Sequence, residues 1–328
     1  MDYIGSKAKI NEWIFENIES IIPSKEWKNL WFLDGCAGSG STSKYAIKKG
    51  FKVISNDLFV FSSCIVKGFS GISLKKFFIA EKYNDDINKL EGIKGFFYKN
   101  YSESAGRLYF TDENSKLIDS TRKYIETIKD TSIKNYLLYI SLEAISKVLN
   151  TTGVQAAFLK NIKKRASNRF IIKSYPYFYS ENVNTYNNDI VELLNNKKIK
   201  ENILYIDPPY TLRQYGPNYH LYETFVRDDS PILAGKTGLR DWKSESKSDF
   251  CSKKNCLLTF EKIVSISLAK LILISYSSDG LLSENELVSL FKKFRKVKIL
   301  KRKQNRYKAD NNRKNDNSVL EEYLFILH

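Results

Sequence analysis

The chain has 328 residues, 42% of them hydrophobic, which is enough for an α/β core and a second, smaller unit. No apolar run approaches the length needed to cross a bilayer, and the first residues lack the pattern of a secretory signal, so we expect a cytoplasmic protein that does not bind a membrane. The 53 Lys and Arg residues outnumber the 37 Asp and Glu residues, for a net charge of +16. This excess favours a polyanionic partner, although charge alone leaves an inert lysine-rich surface open.

The cysteines give no sign of a disulfide framework or a metal site. Four in so long a chain are expected to be reduced. Cys251 and Cys256 are close in sequence, but only two histidines and no second close cysteine pair accompany them. We therefore predict no bound metal.

The first sixty residues have the order of elements that is typical of an α/β fold. Apolar residues at three- and four-residue steps predict a helix over 10–21, which Pro23 ends. A strand is predicted over 30–33, followed by a glycine-rich turn over 34–40 and a helix that begins near Ser41. A second strand over 52–55 ends at Asn56 and Asp57. This strand, turn, helix, strand unit predicts an α/β fold.

The middle of the chain has a different character. From about residue 61 to 185, the alternating strand and helix patterns give way to helical periodicity with many Lys and Tyr residues. Buried strands are then predicted over 203–206, 271–276 and 323–327, and the basic stretch 301–314 is predicted to be a loop. We therefore predict a discontinuous catalytic domain over 1–60 and 186–328, interrupted by a largely helical inserted domain over 61–185.

The string Asp207-Pro208-Pro209-Tyr210 directly follows one of these predicted strands. Two prolines cannot continue the strand, so the backbone must leave the sheet at its carboxyl edge, where α/β folds bind ligands. There the Asp207 carboxylate and the Pro208 carbonyl can accept hydrogen bonds from an amino group, and the Tyr210 ring can stack on a planar base. Those are the requirements of methyl transfer to the amine of a base. A plain rigid turn is the alternative.

The glycine-rich turn and the acidic residue after the second strand suit a ligand that lies against the backbone. Gly35, Gly38 and Gly40 do not fit the spacing of a dinucleotide-binding fingerprint, which argues against a nicotinamide enzyme. Asp57 is placed to accept hydrogen bonds from a ribose, and an Asx turn or a helix cap is the alternative for it.

Together with the segment Tyr3-Ile4-Gly5-Ser6-Lys7, these motifs resemble the N6-adenine DNA methyltransferases related to DNA adenine methylase, in the motif order of the alpha group. The resemblance covers most of the chain. It continues through 107–114, 150–154, 213–224 and 235–240, which are similar to the subgroup that accompanies restriction systems. It implies a Rossmann-like fold that uses S-adenosylmethionine, with a target-recognition domain inserted over 61–185.

The resemblance also implies roles for individual residues. The catalytic residues are Asp207, Pro208, Pro209 and Tyr210. The residues that would contact S-adenosylmethionine are Tyr3 and Lys7 at its amino-acid end, Asp34, Cys36, Ala37, Gly38 and Gly40 along its pocket, Asp57 at its ribose, and Asp189 near its adenine. Cys36 departs from the family pattern, which usually has Phe at this position, so the packing beside the cofactor is expected to differ.

An exocyclic amine in a duplex is reached by flipping the base out of the stack, so the implied substrate is an adenine in double-stranded DNA. Interleaved basic and aromatic residues in the insert, and the polar segment 213–256, suit contacts to phosphates and base edges. We predict that 213–256 is a mobile loop that orders on DNA. The candidate DNA contacts are Lys99, Arg107, Lys160, Lys164, Arg213, Asn218, Lys236 and Arg240.

The resulting hypothesis is a site-specific DNA adenine methyltransferase of a restriction-modification system, expected to be a monomer, with a cognate endonuclease as a candidate partner. Two alternatives remain. One is an enzyme of the same fold that methylates RNA or a protein amide, and Asp at position 207 disfavours it. The other is a catalytically silent DNA-binding relative, which would have no chemical reason to keep Lys7, Gly38, Gly40, Asp207 and Tyr210 together.

Overall fold

A computed structural model describes residues 3–196, 199–305 and 319–328. Seven strands of these residues form one sheet. The strands are β1 (Trp31–Asp34), β2 (Lys52–Asn56), β3 (Val183–Tyr186), β4 (Ile203–Ile206), β5 (Leu271–Ser277), β6 (Val297–Asn305) and β7 (Val319–Leu327). The helices are α1 (Asn11–Glu19), α2 (Ser41–Lys48), α3 (Val60–Ser70), α4 (Leu74–Asn88), α5 (Phe96–Tyr101), α6 (Asp112–Glu126), α7 (Thr131–Val148), α8 (Ile190–Asn195), α9 (Gly216–Arg227), α10 (Trp242–Glu245), α11 (Lys253–Ile266) and α12 (Glu284–Phe291).

The strand order across the sheet is β3-β2-β1-β4-β5-β7-β6. The first five strands are parallel, and β7 lies antiparallel between β5 and β6. Since the chain proceeds outward from β1 to β2 and later resumes on its other side with β4, the sheet has its topological switch point between β1 and β4. Ligands of open α/β sheets bind at the carboxyl ends of the strands at such a point. The α/β fold predicted from the sequence is confirmed.

The central strands are short apolar runs because both of their faces are covered. Leu33, Leu204 and Ile206 contribute to a core with residues of α8, α11 and α12. Their strand neighbours Phe32 and Tyr205 point to the opposite face and pack in a second core with residues of α1 and α2. The alternation of side chains along a strand thus divides each run between two layers of helices.

The chain divides into two compact units. The sheet unit comprises Gly5–Ser63, Asn182–Tyr215 and Ser246–His328, and the second unit comprises the residues up to Ile4 together with Cys64–Glu181 and Gly216–Glu245. The insert was predicted to lie between residues 61 and 185, close to the observed boundaries at Cys64 and Glu181. No local pattern in the sequence indicated that Gly216–Glu245 belongs to the same unit as the insert. Assigning these units to catalysis and to target recognition remains a prediction.

The second unit is mainly helical. Its longest helix, α7, begins at Thr131 and is capped by Asp130, whose side chain accepts hydrogen bonds from the backbone N–H groups of Ser132 and Ile133. Thr111 caps α6 in the same way through the N–H of Asn114. Such side chains provide partners for N–H groups that the first turn of a helix leaves unpaired.

Two predictions about loops were wrong. Residues 301–305 belong to β6, because their backbone pairs with β7 from Lys301↔Tyr323 to Asn305↔Val319, and the rest of the predicted loop up to 314 lies outside the described residues. The segment 213–256 contains α9, α10 and the start of α11. Residues of α9 between Asn218 and Phe225 are buried, so this part of the segment is a packed helix and not a loop.

Candidate active site at the carboxyl edge of the sheet

The Asp207–Tyr210 string leaves the sheet directly after β4, as the two prolines require. A backbone hydrogen bond from the Leu281 N–H to the Tyr210 carbonyl, 2.8 Å long, ties the end of the string to the loop after β5. The Tyr210 ring is partly buried and lies 6.2 Å from the ring centroid of Tyr276 in a T-shaped contact. The string therefore has both ends fixed, the first by the sheet and the second by its neighbouring loop.

A buried lysine bridges two carboxylates at this edge. The Nζ atom of Lys7 lies 2.9 Å from Oδ1 of Asp207 and 3.1 Å from Oε1 of Glu322. The side chains of Lys7 and Glu322 are about 5% exposed and that of Asp207 is 17% exposed. The other Asp207 oxygen, Oδ2, has no hydrogen-bond partner among the residues that the structure describes. Asp207 thus has one oxygen held by the protein and one free for a ligand.

Burial and charge act against each other in this cluster. Burial lowers the pKa of Lys7, but the charges of Asp207 and Glu322 outweigh it and hold the pKa above the ordinary lysine value. Burial also raises the pKa of Asp207, against the lowering effect of Lys7. Lys7 therefore stays protonated, and Asp207 is a stronger proton acceptor than an exposed aspartate.

The glycine-rich turn joins β1 to α2 beside this string. The Gly35 N–H donates to the Tyr205 carbonyl at 2.9 Å, which brings the turn against the end of β4. A Cβ atom on Gly35 would lie 2.5 Å from the Cδ1 atom of Ile206, so a side chain there would have to displace the Ile206 side chain. Gly38 and Gly40 have φ values of 52° and 70°, in the left-handed region that favours glycine.

Asp57, after β2, holds the turn in place. Its Oδ2 accepts the Gly38 N–H at 2.7 Å and its Oδ1 accepts the Phe59 N–H at 3.0 Å. The second bond is that of an Asx turn, which was the structural alternative for this residue. Since each carboxylate oxygen can accept more than one hydrogen bond, the turn does not exclude a ligand hydroxyl.

Asp34 faces the protein interior. Its Oδ2 accepts a 2.7 Å hydrogen bond from the Ser43 hydroxyl, and its Oδ1 is buried without a hydrogen-bond partner among the described residues. Burial raises the pKa of Asp34 to about 7, Ser43 lowers it, and the charges of Asp207 and Asp57 add to the rise. Asp34 therefore links the two ends of the turn, because it lies at the end of β1 and contacts Ser43 of α2.

Cys36 lies where the predicted acidic residues converge. Burial raises the pKa of its thiol, and the carboxylates of Asp57, Asp207, Asp34 and Asp189 raise it further. The four carboxylates come from four separate stretches of sequence, and each is close enough to Cys36 to affect its thiol electrostatically. The group is rich in negative charge and in hydrogen-bond acceptors.

Asp189 reaches this group through the loop before α8. Its Oδ1 accepts the N–H groups of Val191 and Glu192, so it is the N-cap of that helix. The Asn56 side chain donates to the carbonyls of Gly35 and Asn188, which ties the loop to the glycine turn. Asp189 is half-buried, so part of its side chain is open to solvent.

The family model of the D12 class N6 adenine-specific DNA methyltransferases matches residues 3–306 of the chain. The chain belongs to this family. It is similar to type II methyltransferase M.CviAII of Paramecium bursaria Chlorella virus 1, with 36% identity over 99% of this chain and 98% of the relative. It is also similar to type II methyltransferase M.NlaIII of Neisseria lactamica, with 33% identity over 100% of this chain and 99% of the relative. Type II methyltransferase M.FokI of Planomicrobium okeanokoites is 36% identical over 100% of this chain and 52% of its own length. The resemblance inferred from the motifs is confirmed, and so are the predicted enzyme class, adenine-specific DNA methylation, and the association with restriction-modification relatives.

Several of the family's motif residues in the second unit are buried. The Tyr3 ring stacks on Tyr219 with centroids 4.5 Å apart, and the Ile4 N–H donates to the Tyr219 hydroxyl. The side chain of Asn218 is fully buried, and its oxygen and nitrogen have no hydrogen-bond partner among the described residues. Arg240 is 2% exposed.

The Arg240 guanidinium is held by two carboxylates. It lies 2.6 Å from Asp229 and 2.8 Å from Glu245. Because Asn218 and Arg240 are enclosed, neither predicted DNA contact is open to a ligand in this conformation. The sequence placed them in a polar segment, and only their packing decided their exposure.

The other predicted DNA contacts lie on the surface. The exposed ones are Lys99, Lys160, Lys164 and Lys236 in the second unit and Arg213 in the sheet unit. Arg107 is partly buried, because its guanidinium donates to the carbonyls of Asn100 and Lys236. Arg107 thus stabilises the turn that contains the exposed Lys236, through its hydrogen bond to the Lys236 carbonyl.

Glu322 is the site residue that the sequence analysis missed. It lies in β7, between the partly buried Glu321 and the buried Tyr323. The strand predicted over 323–327 begins only after Glu322, and the neighbouring Glu321 is also acidic, so no local signal distinguished Glu322. In the part of the chain that the structure describes, no cluster of three metal-binding side chains occurs, and no helix is long and apolar enough to cross a membrane.

Proposed function

We propose that the chain methylates N6 of an adenine flipped out of double-stranded DNA, with S-adenosylmethionine as the methyl donor. The observation that carries this proposal is the pairing of Asp207 with Lys7, which leaves Asp207 Oδ2 without a protein partner among the described residues, beside the glycine turn. A free acceptor at the end of β4, next to a turn whose backbone is open to close approach, suits a reaction between two bound ligands.

The residues around the turn fit S-adenosylmethionine. Its sulfonium and amino groups are cationic and its ribose carries hydroxyls, and the carboxylates around Cys36 match those groups in charge and in acceptor capacity. In this proposal Asp57 holds the ribose, Asp189 lies near the adenine, and Cys36, Ala37, Gly38 and Gly40 line the pocket. Lys7, with Tyr3 near it in sequence, serves the amino-acid end, because the ammonium has three donors and two known partners. When bound, S-adenosylmethionine supplies an electrophilic methyl group.

The catalytic string prepares the adenine amine for that methyl group. The lone pair of the exocyclic nitrogen is delocalised into the ring, and hydrogen bonds from its two N–H groups to Asp207 Oδ2 and the Pro208 carbonyl favour a more tetrahedral nitrogen. The Tyr210 ring stacks on the base and partly replaces the stacking that flipping removes. The nitrogen becomes cationic as its bond to the methyl carbon forms and the carbon–sulfur bond of the sulfonium breaks, which leaves a neutral thioether, and one N–H proton then leaves. Asp207 Oδ2 is an acceptor for that proton, because burial raises the pKa of Asp207.

DNA binding in this proposal uses the exposed basic residues. Lys99, Lys160, Lys164 and Lys236 are placed to contact phosphates, and Arg213 follows the catalytic string closely enough to contact DNA near the flipped base. We further propose that the enzyme acts as a monomer in the cytoplasm, with a restriction endonuclease of the same recognition site as its counterpart.

Transfer of tritiated methyl groups from S-adenosylmethionine to unmethylated duplex DNA tests the proposal. The wild type should label DNA, and the label should be N6-methyladenine. Asp207→Ala should abolish transfer, and Asp249→Ala, which changes an exposed aspartate of the same unit, should not. Label on RNA and none on duplex DNA would contradict the proposed substrate. Mapping methylated adenines in DNA from cells that express the chain would then give the recognition site.

A further inference from the structure

Glu322 is a buried carboxylate for which the methyl transfer described above gives no role. It lies in the antiparallel strand β7, and its cross-strand neighbours are Ser277 of β5 and Arg302 of β6. Its side chain points to the edge where Asp207 leaves the sheet, and Lys7 is its ion-pair partner at 3.1 Å. A carboxylate that is 5% exposed is costly to bury, so a role in folding alone is a poor explanation.

We propose that Glu322 is a positioning residue for methyl transfer: it holds the Lys7 ammonium between two carboxylates, so that Asp207 keeps one oxygen for the target amine and the cluster carries a net negative charge. This inference rests on the proposed function. With Glu322 ionised, the two carboxylates and one ammonium sum to one negative charge. With Glu322 neutral, the cluster is neutral and Asp207 is the only anion opposite Lys7 among the described residues.

The negative charge matters because the target nitrogen becomes positive as it is methylated. A charge already in place stabilises that development without reorganisation, and its effect is large where water is excluded. Glu322 does not touch the reacting atoms in this arrangement. It acts through Lys7 and Asp207, which lie 2.9 Å apart.

The surroundings place the ionisation of Glu322 near neutral pH. Burial raises the pKa of Glu322 to about 7, Lys7 lowers it, and the charges of Asp207 and Asp279 add to the rise. The phenols of Tyr205 and Tyr210 also interact with it electrostatically. We therefore expect kcat of the wild type to decline as the pH falls through about 7, because Glu322 takes up a proton and the cluster loses its charge.

Glu322→Gln tests this role, because the amide has the shape of the protonated acid and no charge. At about pH 8 its kcat should be about tenfold below that of the wild type. Its decline below about pH 7 should be absent, because the group that titrates has been removed. The KM for DNA should change less than about twofold, since the missing interaction is made in the transition state. The affinity for S-adenosylmethionine without DNA, measured by calorimetry, should also stay within about twofold.

Two further variants complete the test. Glu322→Asp keeps the charge on a shorter side chain, so kcat should recover to within about threefold of the wild type and the decline below about pH 7 should return. Glu321→Gln changes the next carboxylate of β7, whose side chain points to the other face, and should behave as the wild type. Thermal denaturation verifies that each variant is folded. If Glu322→Gln does not fold, the pH profile of the Asp variant decides: a decline in kcat whose midpoint differs from that of the wild type supports the role, because the titrating group has changed, and a pH profile identical to that of the wild type overturns it.

The outcomes separate this inference from the proposed function. A wild type that methylates DNA, with a Gln variant equal to it in kcat at every pH, would overturn the role of Glu322 alone. A Gln variant that keeps the decline below about pH 7 would do the same, since another group would then be titrating. A wild type that transfers no methyl group to DNA would refute the proposed function itself.

Discussion

Replacing Asp34 with asparagine should change how the stability of the protein depends on pH. The Asp34 side chain is 1% exposed at the end of β1, with Ser43 as hydrogen-bond donor to one oxygen and no described partner on the other. Burial raises its pKa from 3.8 to about 7, so the folded chain holds a proton that the unfolded chain has released at mildly acidic pH. The amide introduced by Asp34→Asn would keep the shape and the Ser43 hydrogen bond and would have no proton to lose.

The sign and size of the effect follow from the two pKa values. Between about pH 4 and 7 the folded state binds more protons than the unfolded state, so the free energy of unfolding falls as the pH rises. Above about pH 7 Asp34 is ionised in both the folded and the unfolded state. Its burial then lowers the free energy of unfolding by a constant amount, about 4 kcal/mol for a pKa that burial raises from 3.8 to about 7. Raising the pH from about 5 to about 8 should therefore lower the free energy of unfolding of the wild type by about 2 to 3 kcal/mol more than that of Asp34→Asn.

Urea denaturation of both proteins at these two pH values measures the difference. The comparison of the two pH values removes any constant cost of introducing the amide, because that cost does not depend on pH. Asp249→Asn, a change at an exposed aspartate of the same unit, serves as the control and should follow the wild type. If Asp34→Asn also follows the wild type to within about 0.5 kcal/mol, Asp34 is ionised in the fold at neutral pH and burial does not govern its charge.

Four other substitutions test the packing, the site and DNA binding. Gly35→Ala should lower the free energy of unfolding by about 1 to 3 kcal/mol in urea denaturation, because its Cβ would lie 2.5 Å from Ile206. Arg240→Met should destabilise the protein by about 1 to 2 kcal/mol in the same assay, because the hydrogen bonds of a buried guanidinium are lost while Asp229 and Glu245 remain partly solvated. Asp57→Ala should weaken S-adenosylmethionine binding about tenfold by calorimetry, because the Gly38 N–H loses its acceptor. Lys236→Ala should weaken DNA binding and reduce the salt dependence of the affinity by about one unit of slope.

Each of these has an outcome that would contradict it. A fully stable Gly35→Ala would mean that the Ile206 side chain can move away from the turn without cost. If Arg240→Met reduced the salt dependence of DNA binding while leaving stability intact, Arg240 would be a phosphate contact and its burial would be transient. Unchanged cofactor affinity in Asp57→Ala would remove Asp57 from the proposed pocket. Lys25→Ala, at an exposed lysine of the sheet unit, is the control for Lys236.

The amino-acid sequence by itself determined the features that depend on neighbouring residues. The apolar runs of β1, β2, β4, β5 and β7 stand out because strands buried on both faces need little beyond local hydrophobicity. The Asp207–Tyr210 string and the glycine turn are equally local, because proline and glycine restrict or widen the backbone at their own positions. These signals were sufficient for the fold class and for the edge at which the candidate site lies.

Only the tertiary structure decided which distant residues meet and which polar residues are enclosed. Strands β3 and β6 are polar at many positions, and they exist because β2 and β7 offer them backbone partners. Lys7, Asp207 and Glu322 are brought together from both ends and the middle of the chain by the order of the strands. Pairing between strands and burial depend on residues far apart along the chain, so the local pattern around Glu322 or Asn218 could not specify either.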